Sequence, residues 1–478
     1  MTDKNKNSNE RCENNSSAHF YDSNTGDSVA EVAIPDAPLW GSQTQLSLDH
    51  FKIGRQRFRP CFIAALLQIK RACAQVNKAE RLLDDQRCGA ILFACDELLS
   101  GKQWQHFPLH IWQTGSGTQT NMNVNEVVSS LAKTYLDKNS QKPINIHPND
   151  HVNMSQSTND VFPSAMHIAV AALTDQQLFP AIKQLDAELA EKQQLFEAHY
   201  CVGRTHLMDA LPLTVGAILS AFRAQLAAAE AALIDSLVGV YQLAIGGTAV
   251  GSGRNAPAEF AQKVCKHLIL HYGLPFAGHH NLFAAVSGED AMLRYSASLK
   301  QLASVLFKIA NDFRLLGSGP RCGINEWLLP ANEAGSSIMP GKVNPTQCEA
   351  LSMVCLQVFG NDLTVSIAAS QGQLQLNVYR PVIIHNVLES IELLSDAMTS
   401  FGEHCVNGLA LNETQIKNNM ARNLSAITVL APQLGYDIAA KIVHQAVHMN
   451  LSLGEAAEHL GLYSRAEFDV LLQEQLED

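Results

Sequence analysis

Residues 335–344 read Gly-Ser-Ser-Ile-Met-Pro-Gly-Lys-Val-Asn, a stretch that makes a poor helix and a poor strand but carries the parts of an acid–base site. Asn344 is a favourable N-cap, Pro345 suits the first helical position, and Gln347 falls where a capping box places Glu or Gln. The loop is therefore expected to feed into a helix N-terminus, whose dipole favours anions. Lys342 adds a full positive charge beside Ser336 and Ser337. In such a field a serine alkoxide is stabilised and can act as a base, and a carboxylate substrate is drawn to the same place. The structural alternative is a helix–helix connection whose glycines serve the turn and whose lysine is solvated.

His206, in Gly-Arg-Thr-His-Leu-Met-Asp (203–209), stands in a polar junction ahead of an apolar helix. Its ordinary pKa suits a proton shuttle, although a lone histidine in a junction also serves as a plain hydrogen-bonding residue. Glu349 could orient and polarise that ring if the fold brings the two together. Ser116 and Thr118 lie in a glycine-bracketed loop, but no P-loop pattern follows a strand there, and the Gly-Gly-Thr-Ala-Val-Gly-Ser-Gly of 246–253 lacks the strand context of a dinucleotide site. His147 and His151 are four apart, yet Pro148 removes the facial meaning of that spacing, so no metal site is expected.

Long helical patterns must hold these loops. From Asp290 to about Leu316 apolar residues recur in steps of three and four, among them Met292, Tyr295, Leu299, Leu302, Leu306, Ile309 and Phe313. Similar patterns cover roughly 161–199, 211–243, 345–370 and 381–405. Five helices of this length predict a mainly α fold built on a long bundle of a kind that subunits can share, with at most short strands and no β-α-β alternation. The polar junctions 114–126, 147–160, 203–212, 246–253 and 335–344 fall between them, and four of the five are dense in hydroxyls, amides and histidine, which suits a small oxygen-rich ligand.

Composition sets outer limits. A chain of 478 residues, 46% hydrophobic and 17% charged, can bury a large core and hold two or three domains. A net charge of −12 argues against a nucleic-acid partner. Eleven scattered cysteines without a C-x-x-C pair read as reduced thiols, and the start of the chain reads as neither secretory leader nor mitochondrial presequence, so the cytoplasm is the expected compartment. No uninterrupted apolar run long enough to span a bilayer is seen, so no membrane partner is expected. Residues 1–35, rich in Asn, Ser and charge, read as a disordered polar tail.

Taken together, Gly335–Ala350, the Gln113–Glu126 loop, His147–Asp150, Ser155–Pro163, Gly203–Thr214 and Gly246–Gly253 resemble, in the same order, segments of the fumarase/aspartase superfamily. Gly341 and the Thr-Gln-Cys-Glu-Ala of 346–350 resemble its class II fumarases more than its aspartases. The resemblance runs over roughly residues 36–450 and implies three folded domains, 36–156, 157–410 and 411–478. It implies a homotetramer with a core of twenty helices, five from each subunit, and reversible hydration of fumarate to (S)-malate in the tricarboxylic acid cycle without metal or organic cofactor. Carried over, Ser336 is the base, His206 acts in proton transfer with Glu349 as its partner, and Ser337, Lys342 and Asn344 hold the carboxylate. Ser116, Thr118, Ser157, Thr158, Asn159 and Thr205 would bind substrate, and His147, Pro148, Asn149 and Asp150 match a second carboxylate site. The nearest alternative is another lyase of the superfamily, such as aspartate ammonia-lyase. Two departures stand out. Ile144 replaces a basic residue upstream of His147, and in 276–290 the sequence His280-Asn281-Leu282 with Ala284 replaces a Pro-Asn-Lys stretch and its following acid. The second is expected to alter helix packing or surface contacts.

Overall fold

The apolar periodicities become helices that pack into one bundle. The computed structural model describes residues 37–477; residues 1–36, which include the expected polar tail, lie outside them. Helices α1 (Ser42–His50), α2 (Pro60–Ala79), α3 (Asp85–Leu99) and α4 (Thr118–Asn139) come first. They lead to α5 (Thr158–Leu173), α6 (Phe179–Leu195) and a hairpin of β1 (Tyr200–Thr205) and β2 (Met208–Thr214). Next are α7 (Val215–Val240), β3 (Gln242–Leu243), α8 (Phe260–Tyr272), β4 (Ala277–Gly278), α9 (Leu282–Ser287) and α10 (Asp290–Leu316). Strand β5 (Trp327–Leu328), α11 (Thr346–Ser370), α12 (Arg380–Phe401) and β6 (Ala410–Leu411) follow, and α13 (Glu413–Arg422) opens a group of short C-terminal helices. The fold is mainly α.

The five long segments close a ring: α6 packs on α7, α7 on α10, α10 on α11, α11 on α12, and α12 back on α6. Fully buried Phe222, Phe313, Trp327 and Phe401 fill its interior, with the Phe313 ring edge-on to both Trp327 and Phe401. The helix expected over 290–316 is found with those bounds. Three other expectations need correction. The pattern over 161–199 is interrupted by a π-helical turn at Thr174–Leu178, and Thr174 bonds Tyr295 there. Residues 211–214 belong to β2 because their backbone pairs with β1, so the helix expected from 211 starts only at Val215.

The third correction concerns apolar length. By length and composition α7 and α11 are long and apolar enough to cross a membrane, although reading for uninterrupted apolar runs passed over them. Within the single chain their apolar surface is two-sided. One side faces the ring, while Met353, Leu356, Leu363 and Ile367 of α11 stand exposed at heptad-like spacing.

Candidate active site

Three loops of one chain are welded into a polar cleft. Ser157 caps α5: its hydroxyl accepts the Asn159 N–H at 3.2 Å, and Asp160 closes a capping box by accepting the Ser157 N–H at 2.9 Å. The other oxygen of Asp160 accepts the N–H groups of Gly246 (3.0 Å) and Thr248 (2.9 Å), which draws the 246–253 loop against α5. Burial pushes the Asp160 carboxyl up to about 6, while the N–H donors of Ser157, Thr248 and Gly246 pull the other way. Asn159 donates to the Ala249 carbonyl at 2.8 Å, and Thr158 accepts from Asn121 at 3.0 Å.

The 114–118 loop meets them. Gly117 starts α4 with φ 77°, and a Cβ there would overlap the Phe162 ring of α5. Ser116 and Thr118 share a hydrogen bond of 2.8 Å between their hydroxyls. Arg380, wholly buried, ties the set together. Its backbone N–H donates to Gly115 O (3.1 Å), and its guanidinium to Asn159 O (3.0 Å), Val286 O (2.6 Å) and the Glu289 carboxylate (2.6 Å). Thr118, Ser157, Thr158 and Asn159 therefore line one cleft of about 890 Å³, with Asn149 and Asp150 at its edge.

The second carboxylate segment is a π-helical turn, Pro148–Val152, rather than an α-helix. The His147 ring accepts the Asp150 N–H at 3.2 Å, and the His151 ring accepts the His147 N–H at 2.8 Å. Beside Ile144, Arg87 of α3 donates to Asn145 O at 2.8 Å and pairs with Asp84. Burial, and then that guanidinium, hold the His151 imidazole below its ordinary value.

Thr205 and His206 lie elsewhere, at the tip of the hairpin. His206 and Leu207 both have positive φ, 56° and 62°, and both are exposed. Arg204 anchors the hairpin below the tip through a paired contact to buried Glu326, 3.0 and 2.7 Å. Thr205 lines a second cleft, of about 620 Å³, against α7 and α10.

The 335–344 loop bonds mainly to itself. Ser336, half-buried, accepts the N–H groups of Ile338 (3.2 Å) and Met339 (3.0 Å). Lys342 Nζ donates to Asn344 Oδ1 at 2.6 Å, and Asn344 Nδ2 donates to Gly335 O. Lys342 and Asn344 line a third cleft of about 710 Å³, while Ser337 is exposed. Helix α11 starts one residue later than expected: Pro345 is its N-cap, and the Asn344 side chain bonds Lys342 and Gly335 instead. Gln347 closes no capping box because its side-chain oxygen accepts from Ser400 at 2.8 Å.

Within one chain, then, the fold unites Ser116, Thr118, Ser157, Thr158 and Asn159, and places Asn149 and Asp150 beside them. It does not unite these with Ser336, Lys342 and Asn344, nor with Thr205 and His206. His206 and Glu349 make no hydrogen bond or ion pair with each other among the described residues, and Glu349 is exposed. Sequence reasoning missed Asn121, Asn153, Gln156, Asp160, Arg204, Glu326 and Arg380 as parts of the framework. Within the altered 276–290 segment, Glu289 is buried and pairs with Arg380.

Residues 30–360 match the family described as lyase, and residues 427–475 match the fumarase C C-terminus. The chain is 52% identical to fumarate hydratase class II 1 of Pseudomonas aeruginosa, covering 93% of this chain and 96% of that one. It is 51% identical to fumarate hydratase class II of Thermosynechococcus vestitus, covering 93% and 95%. The crystal structure of class II fumarase from Schistosoma mansoni superposes with a TM-score of 0.87 at 42% identity, covering 92% of this chain and 95% of that one. Fold, loop order and sequence thus agree, and the chain belongs to the class II fumarate hydratase family of the fumarase/aspartase superfamily.

Proposed function

We propose that this chain is a fumarate hydratase that interconverts fumarate and (S)-malate within the tricarboxylic acid cycle. The observation that carries the reading is its identity of about half to fumarate hydratases over more than nine-tenths of its length, with every candidate loop present. Starting from malate, Ser336 takes the C3 proton, and the electron pair moves into the adjacent carboxylate. Lys342, Asn344 and Ser337 hold the doubly charged group that results, the stage at which fixed cationic and amide donors matter most. His206, with Glu349 beside it in the assembled enzyme, protonates the departing C2 hydroxyl through a water. Ser116, Thr118, Ser157, Thr158, Asn159 and Thr205 orient the dicarboxylate, and His147 to Asp150 form a second, weaker carboxylate site. The chemistry needs neither metal nor organic cofactor: malate-dependent fumarate absorbance should survive exhaustive chelation, and a loss restored by iron would refute that part. Turnover of aspartate in place of malate would replace the hydratase reading with an ammonia-lyase.

The same reading makes the enzyme a homotetramer with a twenty-helix core, its subunits divided at 36–156, 157–410 and 411–478. Two observations support assembly: the exposed apolar stripe on α11, and the dispersal of the site residues over three clefts of one chain. The ten described cysteines are free thiols, which favours a reducing cytoplasm. Complementation tests the shared site. Inactive Ser336→Ala and His206→Asn proteins, dissociated and reassociated at random, should regain roughly a quarter of wild-type activity, because each site draws its serine and histidine independently. Mixed assemblies as dead as their parents would place both residues in one chain.

A further inference from the structure

Lys70 stands halfway along α2 with no exposed surface. An amine buried there contributes nothing that an apolar side chain of equal length would not, and costs free energy unless it is paired. Its partners are all on the cleft side. Nζ donates to Asn153 Oδ1 at 2.7 Å and to Gln156 Oε1 at 3.0 Å, and both amides line the 890 Å³ cleft. Asn121 Nδ2 donates both to that same Asn153 oxygen, at 3.3 Å, and to the Thr158 hydroxyl, at 3.0 Å. Gln156 in turn donates to the carbonyls of Val152 (3.2 Å) and Met154 (3.0 Å), so the segment from 152 to 158 is folded around one ammonium group.

We propose that Lys70 is a positioning residue for the dicarboxylate: its buried ammonium fixes Asn153 and Gln156 in the cleft wall and, through Asn121, sets the Thr158 hydroxyl. The inference rests on the hydratase reading for its substrate. Lys70 touches no substrate itself. It also places a positive charge behind a wall meant to receive a dianion, where screening by salt is weak.

The charge state is part of the design. Burial pulls the Lys70 amine down to about 8, and the groups that face it, Cys73 on its own helix, Asp160 on α5 and Cys95 on α3, hold it up. A folded-state value below the unfolded one means that the unfolded chain binds more protons between about 8 and 10.5. This group therefore adds stability as pH rises through that window, while the cleft loses its cation. A fall in substrate affinity above about pH 8 then runs opposite to the Lys70 contribution to stability, and is distinguishable from alkaline unfolding.

The test uses assembled wild-type enzyme and Lys70→Met, which keeps the length and removes the charge. Steady-state kinetics with malate, binding of the unreactive dicarboxylate succinate, and thermal melting are followed across the neutral and alkaline range. Expected for Lys70→Met is a fall in kcat/KM and in succinate affinity of about 10–100-fold, the scale of one lost charge-assisted hydrogen bond, carried by KM more than by kcat. Its alkaline loss of succinate affinity should vanish, alongside a modest fall in melting temperature from the Asn153 and Gln156 oxygens left without this donor. Unchanged succinate affinity, an unchanged alkaline limb, or an effect confined to melting would overturn the inference. If Lys70→Met fails to assemble, Asn153→Ala cuts the same chain from the cleft side, and wild-type succinate affinity there refutes it equally. A wild type that binds succinate but turns over neither malate nor fumarate would sink the hydratase reading while leaving the cleft-wall measurement intact. One that binds no succinate sinks both.

Discussion

Ser157 and Ser336 are both hydroxyl groups in polar loops ahead of long helices, and both accept backbone N–H groups from residues just after them. Their surroundings differ. Around Ser157 the local capping bonds are joined by ties that lead away: Asp160 reaches 246 and 248, Asn159 reaches 249, and Arg380 joins 115, 159 and 286. Around Ser336 the ties lead back into the same ten residues, from Lys342 to Asn344 and from Asn344 to Gly335. One half of the machinery is locked by its own chain before any ligand arrives. The other is a closed loop whose final setting is left to what docks beside it. Binding needs the first arrangement, since a preformed wall costs no ordering entropy on association. The proposed role of Ser336, in a loop that admits and releases substrate, would need the second.

Three experiments would sharpen or break this contrast. The largest effect is catalytic: Ser336→Ala should lower kcat by ~10²–10⁴-fold while succinate affinity stays near wild type, because its bonds stay inside its own loop. Near-normal kcat would mean that the base lies elsewhere. Next come two glycines compared by urea unfolding. A Cβ at Gly115 would overlap the Val378 carbonyl, so Gly115→Ala should cost about 3 kcal/mol or more, as a buried overlap does. Gly341, with φ 77° but nothing within 4 Å, should cost only ~1–2 kcal/mol on the same substitution. Equal penalties would erase the distinction between welded cleft and free loop.

The smallest effect is a slope. Asp160 has a folded pKa raised from 3.8 to about 6, so the stability its protonated form contributes is full below about 3.8 and lost as pH rises through about 6. Comparing melting temperature against pH for wild type and Asp160→Asn should show a shallower decline over that window in the variant. Parallel curves would mean that the carboxyl is not the titrating group.

What the sequence discloses follows from what is local. The 3.6-residue periodicity of 290–316 is a property of neighbouring residues and can be read directly. The loop residues with unusual chemistry were also legible, because hydroxyls and amides crowd where no turn requires them. Arg380 and Lys70 were not: one opens α12 and the other lies within the apolar α2, and the partners of each come from segments far away in sequence. The start of α11 was misread for a related reason. Asn344 has the chemistry of a cap, but the lysine two residues before it competes for the same oxygen.

The hairpin tip has an implication for anyone who evolves this enzyme. His206 and Leu207 occupy left-handed backbone that a two-residue hairpin would fill most comfortably with Asn-Gly. The chain thus keeps a tense turn to present an imidazole at its apex. A library selected only for heat resistance would be pulled toward Asn at 206 and Gly at 207, and under the proposed role of His206 it would grow sturdier as turnover fell. Screens on this scaffold should therefore score turnover and thermal tolerance together, since the proposed role of His206 sets the two in opposition there.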